Sequence, residues 1–134
     1  MYLSMLNEKQ KEYFLELAYQ LALIDNDFSE KERIMIESYC NEMRISVPEV
    51  IHARPVDEII QSMKRECTVL EKKIMVFEII GLALVDGNYD ESEKKVIEEI
   101  MRVFELDEPY AKECEEILIE YIEIQKKMNI LIMN

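Results

Sequence analysis

The sequence predicts an all-α protein, a single helical bundle of about seven helices built from two pseudo-symmetric repeats. Three observations carry that expectation. Segment 21–50 reappears, without a gap, 61 positions later as segment 82–111. Leu21, Ala22, Leu23, Asp25, Glu30, Glu32, Ile36, Glu37 and Pro48 match Leu82, Ala83, Leu84, Asp86, Glu91, Glu93, Ile97, Glu98 and Pro109. Self-similarity of this kind marks one supersecondary unit used twice. Helix-start signals recur along the chain, and the apolar residues between them follow helical spacing, with no stretch alternating at period two.

The elements follow in order. Asn7 with Gln10 opens a helix over 8–24, and Ser29 with Glu32 opens one over 30–43. In each pair the first side chain accepts from a backbone N–H that lacks an intrahelical partner, and the second reaches back to the cap's own N–H. Met35, Ile36, Tyr39, Cys40 and Met43 form the apolar stripe of the second helix. Ser46 with Glu49 opens a short helix over 47–53, with Pro48 in the first turn, where a missing N–H costs nothing. The bridge 52–67 contains Arg54-Pro55, where the residue before proline avoids helical geometry, and a helix over 56–65 follows. Thr68 with Glu71 opens 69–85, and Asp90 with Glu93 opens 91–104, whose stripe is Val96, Ile97, Ile100, Met101 and Phe104. Pro109 stands near the start of a last helix over 108–128. The apolar tail Ile130-Leu131-Ile132-Met133 is expected to fold back onto the bundle, an oligomer contact being the other reading. Repeat one thus spans about 8–53 and repeat two about 69–128. Residues 1–134 form one domain.

Charge narrows the partners. With 29 acidic against 16 basic residues the net charge is −13, which argues against nucleic acid, whose affinity rests on neutralised phosphates, and against anionic membranes. Cations, a basic protein partner or a homo-oligomer remain. No window approaches the ~20 apolar residues of a membrane span, and the first ten residues lack the charged and apolar regions of a signal peptide, so a cytoplasmic location is expected. Cys40, Cys67 and Cys114 are an odd, scattered set, and His52 is the single histidine. Free thiols are expected rather than zinc ligands or a disulfide. There is no phosphate-cradling glycine loop and no nucleophile elbow, and His52 has no partner at fixed spacing. No catalytic residue can be named, and the chain reads as a non-enzyme.

Chemistry, if present, lies in the acidic turns 24–32 and 85–93. The alternation of Asp86, Asn88, Asp90 and Ser92 imitates a calcium loop, but glycine is missing at its sixth position and Glu at its last, where Glu91 and Ile97 stand. A purely structural reading takes Asn26 and Gly87 as left-handed helix ends, and Phe28 and Tyr89 as staples or core residues. Asp25 and Asp86 resist it, because an acid at a helix C-terminus opposes the macrodipole by ~0.3–1 kcal/mol. Arg33 and Lys94 are one answer to those charges. A divalent cation is the other, held by Asp25, Glu32, Asp86 and Glu93 through hard oxygens.

These doubled turns, each a small-residue helix end, Asp, a polar stretch and then Glu, resemble the tellurite-resistance TerB-like family. Asp86-Gly87 through Glu93 fits the pattern, and Asp25 through Glu32 fits with Asn26 in place of glycine. The resemblance spans about 8–125. It implies a small cytoplasmic helical protein associated with tellurite and other stress responses, with a divalent cation at Asp25, Glu32, Asp86 and Glu93. The fold also serves as an accessory domain in membrane-anchored DnaJ-like chaperones, whose His-Pro-Asp is not in this chain. The alternative expectation is an interaction scaffold using either the apolar tail or an acidic face of Glu113, Glu115, Glu116, Glu120 and Glu123.

Overall fold

Four of the helix starts carry the full reciprocal cap that their sequences specify. Asn7, Ser29, Thr68 and Asp90 each accept from the backbone three residues on, while Gln10, Glu32, Glu71 and Glu93 return the bond. The computed structural model describes residues 1–24, 28–48, 53–85 and 89–134. Along them run a 3-10 turn, Leu3–Met5, and six α-helices: α1 (Glu8–Leu23), α2 (Glu30–Met43), α3 (Val56–Glu66), α4 (Val69–Leu84), α5 (Glu91–Phe104) and α6 (Glu108–Met133). No strand occurs among the described residues. Pro55 occupies the position just before α3, and Pro109 lies in the first turn of α6. The short helix expected over 47–53, its capping Glu49 and His52 fall on 49–52, outside the described residues, whereas Val47 and Pro48 are not helical.

Both α2 and α5 end without a glycine. Arg44 and Glu105 adopt left-handed conformations with φ of 58° and 57°. The next amide reaches back to close each end, Ile45 N–H to the Cys40 carbonyl at 3.0 Å and Leu106 N–H to that of Met101 at 3.1 Å. Ile45 and Leu106 then pack on the core, which is the apolar contact that accompanies this type of helix stop.

The same neighbours recur in both halves. α1 packs on α2 and α3, α4 packs on α5 and α6, and α1 meets α4 between them. Phe14, Leu17 and Leu21 of α1 and Met75, Ile79 and Ile80 of α4 are fully buried. Tyr39 of α2 reaches into this centre, edge-on to Phe14 at 5.2 Å, and its hydroxyl donates to the Glu78 carbonyl of α4 at 2.9 Å. Cys40, Cys67 and Cys114 are buried free thiols.

Two tethers hold the periphery. The Met1 amine donates to Glu42 at 2.8 Å and Glu78 at 2.7 Å, while the Tyr2 and Leu3 amides donate to the same carboxylates. Burial alone would lower the amine's pKa, but the bonds to Glu42 and Glu78 raise it overall. In the bridge, Arg54 pairs with Glu16 of α1 at 3.0 Å and lies over the Tyr13 ring at 5.2 Å. Gln20 donates to the Arg54 carbonyl at 2.8 Å.

The C-terminal tail departs from expectation. Instead of folding back at 128, it continues α6 to Met133, and every residue from Glu123 onward is exposed. After Pro109 the sequence holds neither Gly nor Pro, and extending a helix adds one hydrogen bond per residue fixed, whereas reversing the chain would end that series.

Gly81 sits in the middle of α4, where a Cβ would meet only ordinary contacts, the Tyr39 hydroxyl at 3.8 Å and Leu118 at 3.9 Å. Gly81→Ala therefore fits without displacement and should raise unfolding free energy by about 0.5–1 kcal/mol in urea melts by restricting the unfolded chain.

Candidate functional site

The joints between α1 and α2 and between α4 and α5 are built from the same local chemistry. Ser29 N–H donates to Glu32 Oε1 at 3.1 Å, and Glu32 N–H donates back to Ser29 Oγ at 3.1 Å. At the second joint Asp90 N–H donates to Glu93 Oε1 at 3.4 Å, and Glu93 N–H to Asp90 Oδ1 at 2.9 Å. Glu32 and Glu93 are each only 4% exposed. A buried carboxylate is tolerable here because it accepts a backbone N–H and stands at the positive end of the helix dipole. Both glutamates of the expected metal set thus serve as caps. Asp25 and Asp86, with Asn26 and Gly87, lie outside the described residues, so the four expected ligands are not seen as a set. Among the described residues, no three His, Cys, Asp or Glu side chains gather into a metal site.

The neighbouring side chains have local partners. Arg33 bonds Glu30, and Glu37 at 2.7 Å, and the Arg33 hydrogen bond holds the Glu30 carboxyl below its usual pKa. Lys94 pairs with Glu91 at 3.7 Å and covers the Tyr89 ring at 5.4 Å. Phe28 stacks on Tyr19 at 5.8 Å. Burial, followed by the charges of Glu115, Glu93 and Glu98, pushes the Tyr89 phenol well up. Burial likewise pushes the Cys67 thiol up to about 11, so it stays protonated and unreactive near neutrality.

Beside the second joint, α5 and α6 border an open groove of about 720 Å³. Its apolar residues are Ile97, Met101, Leu106 and Ala111, with Lys94 and Glu115 among the charges around them. This mixture presents no nucleophile–base pair. No helix among the described residues is long and apolar enough to cross a membrane.

α6 carries a feature that no motif in the sequence marks. Cys114 and Leu118 are its only buried side chains, while Ile117, Tyr121, Ile124, Met128 and Leu131 are all exposed. Their spacing of four and three residues places them along one side of the helix. That spacing was readable in the sequence; their exposure was not. The chain is an all-helical protein with capped acidic joints and one uncovered apolar helix side. Comparison with protein families, curated proteins and solved structures finds no match.

The capping account makes a direct prediction. Asp90→Ala should destabilise the fold by about 0.5–2 kcal/mol, and Ser29→Ala should do the same, measured by chemical denaturation. A loss below a few tenths of a kcal/mol for both would remove the caps as the reason for these acidic turns.

Proposed function

We propose that this chain is a non-enzymatic, cytoplasmic interaction module of TerB-like build, with the C-terminal half of α6 as its docking element. The observation that carries the reading is the apolar row Ile117, Tyr121, Ile124, Met128 and Leu131, left exposed on a helix that the bundle buries only at Cys114 and Leu118. Contiguous exposed apolar surface on a protein is a mark of an interaction site. A helix side of this kind suits a second helix with matching apolar anchors. A photo-crosslinking residue at position 124, used in cells that make the protein, should give a discrete protein adduct. The same probe at exposed Glu123 should give little. Absence of any adduct at 124 would reject the reading.

A second reading is weak divalent-cation binding at the two acidic joints, linked by the family resemblance to tellurite and other stress responses. A specific observation favours it. Both joints hold a buried carboxylate at the same place, Glu32 and Glu93, seven residues after Asp25 and Asp86 in sequence. Titration with calcium, magnesium, zinc and manganese should then move backbone NMR signals centred on 24–32 and 85–93, and Asp86→Asn should weaken the response. Diffuse, salt-like shifts across the molecule would eliminate cation binding there.

A further inference from the structure

We infer that the occupant of the α6 row is α6 of a second copy of this chain, docked antiparallel about a twofold axis. This rests on the reading of α6 as a docking element and commits it to one partner.

The geometry comes first. Ile117, Tyr121, Ile124, Met128 and Leu131 are 57%, 40%, 53%, 48% and 80% exposed. Their 4-3-4-3 spacing is the heptad seam by which two helices interlock. It runs for fifteen residues, about 21 Å at the rise of an α-helix. Its members are not core, since Cys114 and Leu118 are the two side chains of α6 that are buried. Gln125 donates to the Tyr121 hydroxyl at 3.0 Å, which fixes that side chain on its own helix and lowers the ordering cost of docking.

Charge then selects the partner. Residues 113–123 hold Glu113, Glu115, Glu116, Glu120 and Glu123 and no base, whereas 124–134 hold Lys126 and Lys127 and no acid. α6 is therefore acidic in one half and basic in the other. A parallel pairing sets acid against acid. An antiparallel pairing sets the lysines of each copy against the glutamates of the other, and twofold symmetry repeats the match. In the register that faces Tyr121 with Ile124 and Ile117 with Met128 of the second copy, Glu120 comes beside Lys127 twice along one flank of the seam. These flanking positions set orientation in helix pairs. With −13 per copy, two molecules repel over most of their surfaces. Contact belongs where the charge reverses along α6.

Sedimentation of the purified full-length chain over a range of concentrations tests this. The wild type should reach dimer mass. Ile124→Glu should stay monomeric with unchanged helicity and melting temperature, and Ile119→Glu, on the opposite side of α6, should still dimerise. Glu120→Lys and Lys127→Glu should each weaken dimerisation roughly 3- to 10-fold, and the double exchange should restore it to within about twofold. A double variant as weak as the singles would overturn the antiparallel register. A wild type that is monomeric throughout, with a crosslinked adduct at 124 to a different protein, would overturn the second copy as partner yet leave the docking role standing. No adduct at all would remove both.

Discussion

The structure depends on Tyr39. Its ring meets Phe14 of α1, its hydroxyl donates to a carbonyl of α4, and it abuts Gly81 in the region where Leu118 of α6 packs. One side chain thereby ties together three helices, α1, α2 and α4, drawn from both copies of the duplicated sequence unit. A buried phenol needs an acceptor, since an unmet hydroxyl costs about 1–3 kcal/mol, and the helical carbonyl of Glu78 supplies it. Burial, with the charges of Glu78 and Glu42, pushes the phenol's pKa well up and keeps it neutral. The equivalent position in the second copy is Ile100, which is buried but has no hydroxyl. The two units share a sequence pattern, yet the centre they form is asymmetric, with the hydroxyl of Tyr39 on one side and the aliphatic Ile100 on the other.

Around that centre the acidic residues take several structural duties. Glu32 and Glu93 cap helices, Glu42 and Glu78 hold the amine and amides of the N-terminal segment, and Glu16 holds Arg54. Each carboxylate is buried or half-buried against a donor, which suits a chain with many acids and a small core. The functional emphasis moves accordingly. The acidic turns stand out in the sequence, but their described members are occupied with building the fold. α6 has no such outlet for its apolar row, which is why docking is assigned there.

Much of the fold was legible because it is local. The helices expected over 30–43 and 91–104 match α2 and α5 residue for residue, and four of the five capping boxes form as written. Cap chemistry spans three residues and needs no knowledge of the rest of the chain. Features that join distant residues were not legible. Arg54 lies against Tyr13 and Glu16 across 38 positions or more, and Met1 finds Glu42 and Glu78. The left-handed stops at Arg44 and Glu105 were also missed, since neither is the glycine or asparagine that usually announces them.

The sequence by itself determined that the chain is helical, where most of its helices start, and that one unit is written twice. Those facts follow from hydrogen bonds and apolar spacing within a few residues. Only the tertiary structure decided which apolar residues are buried. Leu118 and Ile117 are adjacent and equally apolar, yet one packs beside Gly81 and the other faces solvent, because α4 covers a single side of α6. The same holds for the tail, which the sequence permits either to turn or to extend. None of the described residues of the bundle covers it past the last packed turn, and it stays helical and exposed.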